Sequence, residues 1–421
     1  MASSNLLDWP EPIVPVQTLS NSGMSSLPQQ YIKPPSERPS DVTNDPNLSI
    51  PVIDLASFSN APEHHQEMLK AIASACKNWG FFQLVNHDVD TEAVRRMRSA
   101  WREFFDLPME EKKVHANLPV TYEGYGSRLG VEKGAILDWS DYYFLNLFPS
   151  DIRNLDKWPK IPTDLRYMIF FFSRENPASF YFFNLSSFFI SSCSLEFPDM
   201  FGYTVSYFIC PYLILFWYLC REATEKYACQ LISLCQVLLK AMSSSLGLEE
   251  DYLHNAFGGS DGISATMRVN YYPRCPQPEL TLGLSSHSDP GGITLLLTDD
   301  NVEGTQVRKG DAWVTVQPVP GSFLVNVGDQ IQILSNGCYR SVEHRALANS
   351  DKERFTISFF CNPRGDLPIA PARELVGPGS PALYQEALTF SDYRKYMRTK
   401  GPSGKTQVQS ISSAMQPGPA A

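Results

Sequence analysis

The sequence predicts an α+β protein with a mainly β core. Two observations carry this: short strands crowd the chain after about residue 265, and the stretch before them carries helical apolar spacing. The strand-rich part reads MRVNYY, LSSHSD, GITLLLT, TQVRK, AWVTVQPV, SFLVNVG, IQILS, YRSVEHRAL and RFTISFF. Gly, Asn and Asp turns such as Lys309-Gly310-Asp311 and Asn336-Gly337 separate the runs. Strands this short and this dense are expected to close as a double-sheet barrel of jelly-roll type.

Taken in order, residues 1–48 are rich in Pro and Ser, with Leu6, Leu7, Trp9, Val14 and Val16 as apolar anchors, and are expected to be a flexible arm. A second region, 49–166, begins with a short strand at IPVIDL. It continues with a helix over 63–76, a strand at GFFQLV, a helix over 92–105 and a strand over 138–144. His87 follows a buried strand and reads as a turn or core histidine. Residues 221–264 read as a helical connection, 265–375 as the barrel and 376–421 as a C-terminal helix and tail.

Composition narrows the function. A chain of 421 residues, 43% hydrophobic, can bury a full core. Its formal net charge of -10 argues against nucleic acid or an anionic membrane as the main partner. The nine Cys show no C-x-x-C spacing, and the first residues have neither a basic nor an apolar leader region. A cytoplasmic monomer with reduced thiols, acting on a small molecule, is expected.

His287-Ser288-Asp289, followed by His344, is the strongest chemical signal. Side chains alternate along a strand, so His287 and Asp289 are expected on one face. Two imidazoles and a carboxylate are the set that holds Fe(II) on one triangular face and leaves positions open for O2 and a cosubstrate. Arg354 and Thr356 follow on one strand face, a cation and a hydroxyl suited to the carboxylate of 2-oxoglutarate.

Residues 167–220 differ from everything around them. They hold twelve of the 25 Phe, six Tyr, and only four charges, Arg174, Glu175, Glu196 and Asp199. The uncharged run 200–220 has the length of a membrane span, roughly 20 residues, but ordinary soluble sequence flanks it closely on both sides. We read 167–220 as a retained intron, because pyrimidine-rich codons yield Phe, Tyr, Ser, Leu and Cys. Removing the segment joins Leu165 and Arg166 in frame to the soluble sequence at Glu222, in one helix beginning near Thr163 and Asp164. A membrane helix and a functional aromatic insertion are the alternatives.

The runs NYYPRCPQP, GLSSHSDPG, NVGD and SVEHR resemble the plant 2-oxoglutarate and Fe(II)-dependent dioxygenases, over nearly the whole chain except 167–220. The resemblance implies a double-stranded β-helix of jelly-roll, cupin-like form behind a helical N-terminal part. It implies His287, Asp289 and His344 as iron ligands, Arg354, Thr356, Tyr272 and Asn270 around 2-oxoglutarate, and ascorbate as reductant. The family usually has Ser where this chain has Thr356, which keeps the hydroxyl and adds a methyl.

YGSRLG, DWSDYYF and FSDYRKYMRT look most like the jasmonate-induced oxygenases. That likeness implies 12-hydroxylation of jasmonic acid, which lowers active jasmonate and damps defence signalling. Phe390, Arg394 and Arg398 share one helix face and would suit an apolar acid, with Arg268 as a further cation and Phe360 as a further apolar wall. A flavonoid oxidase of the anthocyanidin or flavonol synthase type, and a non-catalytic splice product, are the alternatives.

Overall fold

The structure, a computed structural model, describes residues 8–39, 45, 48–58, 62–119, 121–159, 168–172, 180–184, 224–260, 262–384, 388–402 and 404–412. The chain forms two compact units, one of Met1–Pro159 with Thr224–Ala421 and one of Lys160–Ala223. In the second, β5 (Met168–Phe172) and β6 (Phe180–Asn184) pair as an antiparallel hairpin. Most of the segment read as a retained intron, including the 200–220 run, lies outside the described residues. Among the described residues no helix is long and apolar enough to cross a membrane.

The first unit contains the expected jelly roll. Its strands are β1 (Val52–Asp54), β2 (Phe81–Val85), β3 (Gly124–Gly126), β4 (Asp141–Phe148), β7 (Ser264–Tyr272), β8 (Leu284–His287), β9 (Ile293–Leu297), β10 (Thr305–Lys309), β11 (Ala312–Thr315), β12 (Phe323–Val327), β13 (His344–Ala346) and β14 (Arg354–Asn362). The large sheet runs β1-β2-β12-β9-β14-β7-β4-β3 and the small one β11-β10-β13-β8. Regions 49–166 and 265–375, separate in the sequence reading, therefore contribute strands to one sheet. β7 and β14 are central, and nearly every residue on both is buried, so the polar residues that alternate with apolar ones along them lie inside the protein. Part of the core, with Phe81, Val307, Val316 and Leu324, draws on both sheets.

The helices are α1 (Val16–Asn21), α2 (Pro62–Asn78), α3 (Thr91–Asp106), α4 (Met109–Lys113), α5 over 224–245, α6 (Tyr252–Ala256), α7 (Asp329–Leu334), α8 (Phe390–Lys400) and α9 (Thr406–Ser410). Asp90 caps α3 by accepting from the Glu92 N–H at 2.9 Å, a contact worth about 1 kcal/mol. Ala93, Met97, Trp101, Phe104 and Phe105 form its buried stripe. Arg153 and Glu225, on either side of the 160–223 excursion, pair at 2.7 Å within the first unit.

Two expectations need correction. IQILS is not a strand: it falls largely within α7, whose six residues are all buried. A short run of apolar residues fits a buried helix and a buried strand equally, and periodicity does not separate them. The second concerns residues 1–48, expected to be a flexible arm. Over 16–31 the chain is packed, with Val16, Leu27 and Tyr31 buried against Leu137, Trp139 and Cys275.

The anchor of this segment is Asp141 on β4, which is fully buried. Its carboxylate accepts from the N–H of Val16 at 2.8 Å and of Gln17 at 2.9 Å, from the Tyr125 hydroxyl at 3.0 Å and from the Ser127 hydroxyl at 2.5 Å. Burial pushes its pKa up, and the four donors oppose that. Asp141→Ala would leave these donors buried without an acceptor. It should lower stability by about 3 kcal/mol in urea unfolding and open the buried Tyr31 to chymotrypsin. Unchanged unfolding and unchanged chymotrypsin resistance would contradict the anchoring role.

Candidate active site

Strand register brings the site together. β13 pairs with β8 so that His344 faces His287 directly, while Ala346 faces Leu284. Two residues on β8 thus oppose one on β13, a bulge of the kind that re-aims side chains. β8 ends at His287, so Asp289 lies just beyond the strand rather than on its face as expected. The two rings sit with centroids 4.2 Å apart. Asp289 Oδ1 is 3.6 Å from His287 Nε2 and 3.7 Å from His344 Nε2.

Each of the three residues is oriented by a partner on its far side. His287 Nδ1 donates to the Ser285 carbonyl at 2.8 Å and His344 Nδ1 to the Val342 carbonyl at 3.3 Å. This fixes the tautomer and leaves both Nε2 lone pairs facing the cluster. Asp289 Oδ2 accepts from Thr294 at 2.5 Å and from Asn326 at 2.8 Å, which leaves Oδ1 for the cluster. Burial and the neighbouring His344 push the His287 pKa down to about 4, with Asp289 opposing, so the ring is neutral near pH 7. Burial favours protonated Asp289, but the two imidazoles, Asn326 and Thr294 together hold its carboxyl below the usual range. Neutral imidazoles and an ionised carboxylate are the forms that ligate a divalent cation. Among the described residues this is the one cluster of at least three such groups able to hold a metal.

The cluster opens into a cavity of about 200 Å³ between the sheets. Across its large-sheet wall, β14 and β7 pair Arg354 with Tyr272, Thr356 with Asn270, and Ser358 with Arg268. β4 continues two of these rungs by setting Tyr142 beside Asn270 and Phe144 beside Arg268. Arg354 is buried, its guanidinium 5.0 Å from the Tyr272 ring centroid and bonded to the Thr305 hydroxyl. Its Nε and Nη1 have no protein partner, nor has Arg268 Nε. Burial lowers the Arg354 pKa and Tyr272 and Asp299 raise it, yet a guanidinium stays charged at any working pH. Unpartnered N–H groups on a buried cation are costly, so an anion such as the carboxylate of 2-oxoglutarate fits here. Asn270 Nδ2 lies 3.3 Å from Thr356 Oγ1.

Most of the residues singled out from sequence meet in this cavity: His287, Asp289, His344, Arg354, Thr356, Tyr272, Asn270, Arg268, Phe360, Phe390 and Arg394 all line it. Phe390 is buried, and the Arg394 guanidinium lies 5.5 Å from the Phe144 centroid. Arg398 falls on α8, but its side chain lies outside the described residues. His87 is elsewhere, just after β2, bonded to the Gly321 carbonyl at 2.9 Å. Sequence reasoning missed Thr294, Asn326, Thr305 and Tyr142 as site residues. NVGD and GITLLLT stood out as motif or strand, but the role of one side chain in them depends on what it meets in the folded chain.

Two family patterns match the chain: the 2OG-Fe(II) oxygenase superfamily over residues 263–363, and the non-haem dioxygenase in morphine synthesis N-terminal pattern over residues 50–161. Jasmonate-induced oxygenase 4 of Arabidopsis thaliana is 46% identical over 405 residues, 96% of this chain and 98% of that protein. Flavanone 3-dioxygenase 2 of Oryza sativa subsp. japonica is 34% identical over 380 residues, 90% of this chain and 92% of that protein. The crystal structure of JOX2 in complex with 2OG, Fe, and JA matches with a TM-score of 0.77 at 46% identity, covering 96% of this chain and 99% of that one.

Removing both donors to Asp289 with Thr294→Val and Asn326→Leu should weaken Mn(II) binding about 10- to 100-fold, as read from the free-ion EPR signal. His344→Ala should abolish it. Full affinity in the double variant would mean that Asp289 needs no such support.

Proposed function

This chain belongs to the 2OG-Fe(II) oxygenase superfamily, and from that premise we propose that it hydroxylates jasmonic acid at carbon 12, lowering active jasmonate and damping defence signalling. It is an Fe(II)- and 2-oxoglutarate-dependent dioxygenase. With Fe(II) in place, O2 and 2-oxoglutarate yield succinate, CO2 and one oxygen atom inserted into a C–H bond. In this reading His287, Asp289 and His344 hold the metal. Arg354 pairs with the distal carboxylate of 2-oxoglutarate, and Thr356, Tyr272 and Asn270 complete its berth.

The observation that carries the substrate reading is the second guanidinium. One cavity holds both Arg354 and Arg268, each with a buried N–H that finds no protein partner. They lie on neighbouring strands: Arg268 is four residues from Tyr272, the partner of Arg354, or about 14 Å along β7. One cation serves the cosubstrate and the other is left for an acid on the substrate. Arg268 stacks 4.3 Å from the Tyr142 centroid, while Phe144, Phe360 and Phe390 supply apolar wall. Arg394 enters the same cavity from α8. Such a chamber suits an apolar body with one carboxylate, and the likeness to a jasmonate-induced oxygenase supports the same choice.

A flavonoid would not use these cations, although the likeness to a flavanone dioxygenase keeps that substrate class in the test. The test is succinate formation with Fe(II), 2-oxoglutarate and ascorbate, in the presence of jasmonic acid, naringenin or dihydroquercetin. A jasmonic acid product heavier by one oxygen, placed at carbon 12 by NMR, is the expected result. Turnover of a flavonoid alone would overturn the proposal. Arg268→Leu should raise the KM for jasmonic acid about tenfold or more and leave the KM for 2-oxoglutarate unchanged. Equal effects on both would mean that Arg268 does not discriminate the two acids.

We further propose that 167–220 is retained intron and dispensable. Neither family pattern includes it, and the Arg153–Glu225 pair brackets it within the first unit. A chain lacking 167–220 should therefore fold and bind Mn(II) at least as well as the full chain. Loss of folding on deletion would refute this.

A further inference from the structure

We propose that the C-terminal segment is a positioning element for the metal strand, with Gly404 and Tyr393 holding Ser288 and, through it, its neighbours His287 and Asp289. This rests on the reading of His287, Asp289 and His344 as the metal set.

β8 is the last strand of the small sheet, so one of its edges has no strand to pair with. The returning chain completes that edge. The Gly404 N–H donates to the Ser286 carbonyl at 2.9 Å, and the Ser288 N–H donates to the Gly404 carbonyl at 3.2 Å. Together they make a parallel bridge opposite His287. Gly404 has φ +61, and a Cβ there would stand 2.5 Å from Glu343 Oε1, so the strap is shaped for glycine.

A second tie runs through a buried carboxylate that the metal set does not use. Asp329, at the start of α7, accepts at Oδ2 from Ser288 at 3.2 Å and from the Tyr393 hydroxyl at 2.8 Å. Its own N–H donates to the Asp289 carbonyl at 2.8 Å. Tyr393 sits on α8 next to Arg394, so a shift of that helix is transmitted to the residue between two metal ligands. Lys405, beside Gly404, donates to Gln332 on α7 at 2.9 Å and closes the strap onto the same helix. These groups support ligand-bearing residues from behind, and such support is worth 10- to 100-fold in metal affinity in comparable sites.

The test uses the full chain with two independent variants, Tyr393→Phe, which keeps the ring, and Gly404→Ala, which leaves Tyr393 intact. Mn(II) affinity is read by EPR and hydrogen exchange by mass spectrometry. Each variant should bind Mn(II) about tenfold more weakly and exchange faster over 284–289, with exchange in β7 and β14 unchanged. Ser288→Ala added to Tyr393→Phe should cost little more than the larger single loss, because both act through Asp329. Unchanged Mn(II) affinity in both variants would overturn the proposal. So would faster exchange throughout β7 and β14, the mark of general destabilisation. Retained Mn(II) binding in His344→Ala would instead show that the metal assignment beneath the proposal had failed.

Discussion

Everything at the site depends on one register, the pairing that sets His344 opposite His287. Shifting a strand by one residue turns every side chain to the other face, so no neighbouring alignment would keep both imidazoles together. The bulge in β8 then lets the chain leave the strand at His287 and return the Asp289 carboxylate within 3.6 and 3.7 Å of the two rings. The carbonyls of Ser285 and Val342 lie two residues before each histidine and orient it, so the local backbone does part of the positioning.

The same logic organises the opposite wall. Strand pairing spreads polar groups over β14, β7 and β4 in rungs, so that Arg354, Thr356 and Ser358 meet Tyr272, Asn270 and Arg268. Polar side chains pointing into an apolar barrel are costly unless each finds a partner. Asp289 has found Thr294 and Asn326, whereas Arg354 and Arg268 retain N–H groups without protein partners. That contrast separates groups satisfied within the protein from groups left to meet small molecules.

Segments near both termini, 16–33 and 404–405, close on this frame. Asp141 ties the N-terminal segment to β4 through two backbone N–H groups, and Lys33, 2% exposed, pairs with Asp138 at 2.8 Å and with Ser285 at 2.8 Å. Ser285 is the residue whose carbonyl orients His287, so the stretch that composition marks as an arm reaches β8, the strand that carries His287. Pro- and Ser-rich composition predicts a lack of regular structure, but not a lack of packing. A few apolar residues and one buried acceptor suffice to hold such a stretch.

The strands of the barrel were legible because buried strands between turn residues have a distinct texture, and TQVRK coincides with β10 to the residue. The residue types and order of His287, Asp289, His344, Arg354 and Thr356 were legible too, since their chemistry is specific and their spacing short. IQILS was misread because a run that short looks alike in helix and strand, and tertiary packing decided between them. Thr294, Asn326 and Tyr142 were not assigned roles from sequence because Thr294 and Asn326 act on Asp289, and Tyr142 on Arg268, through contacts that only the folded chain makes. The sequence by itself therefore determined which residue types point to the chemistry, through their order and local spacing. Only the tertiary structure decided what surrounds that chemistry, because register and burial arise from contacts between segments far apart in the chain.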